Sequence, residues 1–105
     1  MGNPRPKPER LAEKLRHIRA GLEISQPEML KRLGLEEIMH YARISEYETG
    51  VREPSLLTLL EYARVARVHM EDIVDDEREL PKRLPGNVKY QERKGKSAPR
   101  SKSKQ

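Results

Sequence analysis

The sequence predicts an all-α fold, a compact bundle of five short helices. Three observations predict it. No stretch alternates apolar and polar residues as a half-buried strand would, and the β-branched residues are scattered. Apolar residues recur instead at spacings of three and four. Capping residues, prolines and glycines punctuate the chain so closely that only short helices fit between them.

The first helix spans residues 9–20, with Leu11, Leu15 and Ile18, and then Leu22, on one face of a 3.6-residue repeat. Gly21 stands where a left-handed stop is expected. The second opens at Ser25, with Glu28 three residues on in the capping-box pattern. Pro27 sits in its first turn, where no intrahelical hydrogen bond is lost. Met29, Leu30 and Leu33 form its buried side and Gly34 ends it. A third helix covers residues 40–49, with Ile44 and Tyr47 inward and Gly50 as its stop. Ser55, after Pro54, caps a fourth whose expected apolar stripe is Leu56, Leu59, Leu60, Ala63 and Ala66. A short fifth at 70–75 contributes Met70 and Ile73, and Pro81 and Pro85 forbid an easy continuation.

Charged residues make up 37% and apolar residues only 34%, with neither Phe nor Trp, which supports one small core of Leu, Ile, Val and Met. The 105 residues suit a single domain. The absence of cysteine excludes a disulfide scaffold, a thiolate zinc site and a cysteine nucleophile, and fits a reducing, cytoplasmic setting. No apolar run exceeds three residues, so neither a membrane span nor a signal-peptide core is expected.

The net charge of +5 is unevenly placed. Residues 91–105 carry six basic side chains against Glu92 alone, so residues 1–90 sum to zero, while residues 53–79 hold eight acids and three bases. The expected organisation is a Pro/basic arm at 1–8, a helical domain at 9–76, a Pro-containing extension at 77–90 and a disordered basic tail at 91–105.

Helices two and three are short, adjacent and joined by a glycine-containing turn, the helix-turn-helix arrangement. In it the second helix enters a DNA major groove and offers its N-terminal residues to base edges. With Ile44 and Tyr47 inward, the outward residues are His40, Tyr41, Ala42 and Arg43, then Ser45 and Glu46. Arg43 can pair with guanine or phosphate, Ala42 can meet a thymine methyl, and Glu46 can accept from a cytosine amine. His40 and Tyr41 can donate to phosphates or bases.

Along residues 9–73 run Leu15-x-x-Ile18-Arg19, Ile24-Ser25-Gln26-x-Glu28, Leu33-Gly34, Ile44-Ser45-x-Tyr47-Glu48-x-Gly50, Arg52-Glu53-Pro54-Ser55 and Leu59-Leu60-x-x-Ala63. In these residues the chain closely resembles the Cro/lambda-repressor-like helix-turn-helix family, the XRE-type regulators. The resemblance implies a lambda-repressor-like domain that binds double-stranded DNA. It also implies phosphate contacts from Gln26, at the start of helix two, and from Arg52, with an ion pair of Arg19 and Glu48 joining helix one to helix three. A homodimer on a pseudo-palindrome is implied, with half-sites about one DNA turn (~34 Å) apart. Its expected dimer surface lies on helices four and five, where Leu57, Tyr62 and Val65 fall off the core stripe. The implied biology is a cytoplasmic, nucleoid-associated regulator of bacterial or phage type, most simply a repressor.

Between Gly34 and Ile44 the chain is about four residues longer than is usual in that family, close to one helical turn. Either the turn is longer, or helix three starts one turn earlier and carries Glu36 and Glu37 toward phosphates, against the electrostatics. The longer turn is expected, with Leu35 and Ile38 covering the core. His17 and His69 are isolated, and residues 71–77 lack the glycine and spacing of a calcium loop, so neither metal nor cofactor is expected. That acidic stretch reads as a solvated face. No nucleophile–base pair or phosphate loop indicates an enzyme. The competing class is a protein-interaction module on the same fold, an antitoxin or bridging cofactor with weak DNA binding. The neutral balance of residues 1–90, the longer turn and an acidic stretch suited to a basic protein partner motivate it.

Overall fold

A computed structural model describes residues 8–87. The expected arm before Pro8, the last residues of the expected extension and the expected basic tail lie outside the described residues. Five helices follow one another: α1 (Leu11–Leu22), α2 (Gln26–Arg32), α3 (Ala42–Thr49), α4 (Leu56–Ala66) and α5 (Met70–Val74), with no strand among the described residues. The helix α1 lies at the centre and packs against α3, α4 and α5. Leu15 and Ile18 of α1, Met29 of α2, Ile44 and Tyr47 of α3, Leu59 and Tyr62 of α4 and Ile73 of α5 form one buried cluster. Burial of each large apolar side chain contributes roughly 1.5–3 kcal/mol.

Both serine caps form. Ser25 Oγ accepts from the Glu28 N–H at 3.2 Å, and Ser55 Oγ accepts from the Thr58 N–H at 3.1 Å. The Glu28 carboxylate does not return to Ser25 as a full capping box requires; it accepts instead from Arg32 Nε, one turn on, at 3.1 Å.

Several local expectations give way to tertiary contacts. Gly21 does not stop α1, which runs on to Leu22 and turns at Glu23 with φ 61°. Its value is space: a β-carbon there would lie 2.8 Å from Leu84 Cδ1. On α4 the inward face is Thr58, Leu59, Tyr62, Ala63 and Ala66. Leu56 is 70% exposed because nothing among the described residues covers that side of the first turn, whereas Tyr62 is fully buried. Leu60 is half-buried. Residues 77–87, expected as an extension outside the helical domain, close over it. Leu84 enters the core, and the Gly86 N–H donates to Ala66 O at 3.0 Å. A β-carbon at 86 would fall 2.1 Å from Val65 O, so only glycine permits this crossing. Asn87 Nδ2 then donates to Gly21 O at 2.6 Å.

Part of the acidic stretch, expected as a solvated face, clasps the start of α1, while Glu71, Asp75 and Glu77 stay exposed. The Asp76 carboxylate accepts from the N–H groups of Glu9 and Arg10 at 2.9 and 3.0 Å, supplying from a distant loop the cap that α1 lacks locally. Arg10 forms a two-pronged bond to Glu79 at 3.0 and 2.9 Å and donates to Asp76 O at 2.9 Å. Lys14 is buried, and its Nζ donates to the carbonyls of Asp72, Asp75 and Arg78 at 2.9, 2.7 and 2.8 Å. All three ammonium donors are thereby used, the condition for tolerating a buried charge.

Main-chain donation from Glu9 and Arg10 holds the Asp76 carboxyl below its usual range, and the bond from Arg10 does the same for Glu79. Both groups are depressed in the folded state, so their stabilisation is complete above ordinary carboxylate values, about pH 4–4.5, and is lost as pH falls through the lowered values. Asp76→Asn is expected to lower Tm by a few degrees at pH 7 and to flatten the loss of stability on acidification below about pH 4. Thermal unfolding followed by circular dichroism from pH 2.5 to 7 checks this; an unaltered acid limb would show that the clasp does not govern it.

Candidate nucleic-acid interface

The connection between α2 and α3 settles how the additional residues are used. After Gly34, at φ 77°, the Leu35 N–H donates to Leu30 O at 3.2 Å. The N–H groups of Ile38 and Met39 both donate to Leu35 O, at 3.0 and 3.1 Å, which closes a compact turn. The helix α3 therefore begins at Ala42, and of the two alternatives the longer turn is the one formed. Leu35 and Met39 pack against the core, while Ile38, expected to cover it, is 73% exposed. The Tyr47 hydroxyl meets Met39 Sδ at 3.8 Å, so Met39 takes the inward place and Ile38 is left outward. Glu36 and Glu37 are exposed on this turn.

At the start of α3 the Tyr41 side chain provides no cap. His40 substitutes for it: its Nδ1 accepts from the Ala42 N–H at 3.1 Å, and its ring stacks on Tyr41 at 4.4 Å. A neutral imidazole that accepts at Nδ1 carries its proton on Nε2, which remains a donor. His40, Tyr41 and Ala42 are exposed.

One turn along, Glu46 gathers two arginines. Its Oε1 lies 3.2 Å from Arg43 Nε and accepts from Arg52 Nε at 2.9 Å. The Arg52 main chain is held as well, its N–H donating to Glu46 O at 3.2 Å just past the left-handed end of α3 at Gly50. Arg52 is exposed and Arg43 half-buried.

Beneath this surface Arg19 of α1 meets Glu48 of α3 through two parallel bonds, Nε–Oε2 at 2.6 Å and Nη2–Oε1 at 3.0 Å. The same guanidinium donates from Nη1 to Ile24 O at 3.1 Å. The Glu48 side chain is 5% exposed, so the pair is largely removed from water. The bond to Glu48 pushes the Arg19 pKa up. Burial, and then the nearby Glu48 charge, push the Tyr62 phenol up; its hydroxyl is buried without a hydrogen-bond partner among the described residues.

Of the residues singled out from sequence, the structure brings together His40, Tyr41 and Ala42 in one group and Arg43, Glu46 and Arg52 in another. Gln26, half-buried at the first position of α2, is joined to neither by a hydrogen bond. The sharing of Glu46 between two arginines escaped sequence reasoning, although the i,i+3 spacing of Arg43 and Glu46 was a signal for half of it. No three potential metal ligands cluster, and no helix is long and apolar enough to cross a membrane, among the described residues.

Two short helices joined by a turn, the second presenting an exposed N-terminal face, define a helix-turn-helix DNA-binding protein. The helix-turn-helix family matches residues 15–73, from α1 into α5, and the chain belongs to it, as a DNA-binding regulator of the Cro/lambda-repressor-like, XRE type. No curated protein and no solved structure matches the chain.

Glu48→Ala strands Arg19 beside the core and is expected to destabilise the domain by about 2 kcal/mol, the scale of a lost hydrogen-bonded charge. Replacing both partners, Arg19→Met with Glu48→Leu, is expected to recover much of that loss. Urea unfolding of the three proteins checks it, and equal stability of Glu48→Ala and the parent would dismiss the pair as a structural tie.

Proposed function

We propose that the chain is a sequence-specific transcriptional regulator that binds double-stranded DNA as a homodimer, most simply a repressor that occludes a pseudo-palindromic operator. The observation that carries this reading is the exposed start of α3, where His40, Tyr41 and Ala42 stand clear of the core with the Arg43 guanidinium beside them. In this reading Arg43 pairs with a guanine, Ala42 meets a thymine methyl, and His40 and Tyr41 donate to bases or phosphates. Gln26 and Arg52 grip phosphates on either side and fix the register of α3 in the groove. Pro8 shares a cleft of about 280 Å³ with Tyr47, Gly50 and Arg52, so the root of the basic arm lies beside one of these phosphate contacts.

Leu56 and Leu57, 70% and 72% exposed at the start of α4, offer an apolar face to a second copy; Tyr62, being buried, is not part of it. A two-fold dimer of this kind reads two half-sites about one DNA turn apart.

Selection from a random duplex library with the full chain at physiological salt is expected to enrich a two-fold symmetric motif. Binding without any enriched motif would overturn the reading and favour a domain that serves a protein partner. On the recovered operator, Arg43→Ala is expected to cost about 1–3 kcal/mol of binding and to relax one position of each half-site, with the fold intact. An equal loss on random DNA would show that Arg43 reads no base.

A further inference from the structure

We infer that Glu46 is a positioning residue for DNA reading: its carboxylate orients Arg43 and Arg52 together and contacts no base itself. The inference rests on the DNA-binding function proposed above and assigns Glu46 a different part in it from that of a cytosine acceptor. Glu46 Oε1 lies 2.9 Å from Arg52 Nε and 3.2 Å from Arg43 Nε. That oxygen accepts a hydrogen bond from Arg52 and lies within ion-pair reach of Arg43, so both cations are drawn to the one carboxylate.

The choice of nitrogen matters. Both arginines meet Glu46 through Nε, which leaves the two terminal nitrogens of each fork outside these contacts. Those are the nitrogens that pair with guanine O6 and N7, or with two phosphate oxygens. Arg52 lies beyond the end of α3 on an exposed turn, and Glu46 holds it at two points, main chain to main chain at 3.2 Å and side chain to side chain. A residue of the recognition helix thereby sets the position of a residue that is not on the helix.

Exposed ion pairs add little to folding stability, so stability does not account for this arrangement. Its effect falls on binding. Two long, flexible side chains arrive already ordered, which reduces the ordering cost of association when the geometry of the DNA matches. The acid itself repels phosphates and so weakens binding to any DNA that cannot use the ordered forks. Glu46 therefore widens the gap between operator and random sequence from both sides.

The test compares Glu46→Ala and Glu46→Gln with the parent chain on the selected operator and on random duplex at one salt concentration. Expected for Glu46→Ala is a rise in random-duplex affinity and a fall of about tenfold in the operator-to-random ratio, with base preference weakened at the pair that Arg43→Ala also relaxes. Glu46→Gln keeps a neutral acceptor and is expected to lose less. In a chain carrying Arg43→Ala and Arg52→Ala, Glu46→Ala is expected to leave the ratio unchanged. Relaxation at a base pair that Arg43→Ala leaves intact would overturn the inference and make Glu46 a reader. An unchanged ratio in the otherwise native chain would overturn it as well and leave Glu46 an ordinary surface acid. A parent chain that prefers no sequence would instead overturn the DNA-reading function, and this inference with it. Glu46 is half-exposed, so Tm is expected to stay near the parent value and to separate these outcomes from misfolding.

Discussion

The two-pronged bond between Arg19 and Glu48 fixes where α3 lies, and the surface proposed to face DNA depends on it. The helix has eight residues, too few to persist by itself in water. Ile44 and Tyr47 anchor it in the core, but apolar burial has no direction and sets depth better than rotation. A guanidinium–carboxylate fork does have direction. Arg19 also donates to Ile24 O, so one side chain joins α1, the link that leads into α2, and α3. The helix α1 is itself secured at both ends: Asp76 accepts from the N–H groups of Glu9 and Arg10 just before its first turn, and Asn87 donates to the Gly21 carbonyl in its last turn. The presentation of α3 thus rests on contacts made by residues far from it in sequence.

Much of the fold was legible because its signals are local. Ser25 and Ser55 announce helix starts through bonds made within one turn, and Gly50 announces a stop. The misread positions share one cause, a distant partner that outweighs a local preference. Gly21 resembles a helix stop until Leu84 is seen packed against it. Leu56 and Tyr62 both fit an amphipathic α4, and only the neighbouring helices decide which of them is inward. Lys14 belongs to a residue type normally solvated. Its place between Leu11 and Leu15 on the apolar face of α1 was the one hint, and its three carbonyl partners lie near and beyond the end of α5.

The site was legible by residue type and only partly by relation. His40, Tyr41, Ala42 and Arg43 were placed at the start of the third helix from spacing alone. The bond of His40 Nδ1 to the main chain, and the turn that ends with Met39 inward, depend on how the additional residues close, which the sequence left open between two forms. The partnership of Arg19 and Glu48 came from family resemblance, because nothing in spacing links residues of two different helices. Glu46 shows the limit most plainly: its spacing from Arg43 signals one partner, whereas Arg52, beyond the end of α3, is found beside it only in the folded chain.

Charge placement separates affinity from recognition under the proposed function. Residues 1–90 sum to zero, so the helical body brings no net positive charge with which to hold DNA. Three of the five acids of residues 72–79 shape that body: Asp72 pairs with Arg78, Asp76 holds the start of α1 and Glu79 pairs with Arg10. What remains for DNA is a small number of cations whose directions are set, Arg43 and Arg52 above all, and directed forks discriminate between sequences better than a diffuse field does. Under that function, general attraction to phosphate falls to the charge of Arg5 and Lys7 and of the six bases of residues 91–105. A body that discriminates and termini that attract respond differently to salt. Screening weakens the second far more than the first, so sequence preference persists at ionic strengths where overall affinity has largely gone.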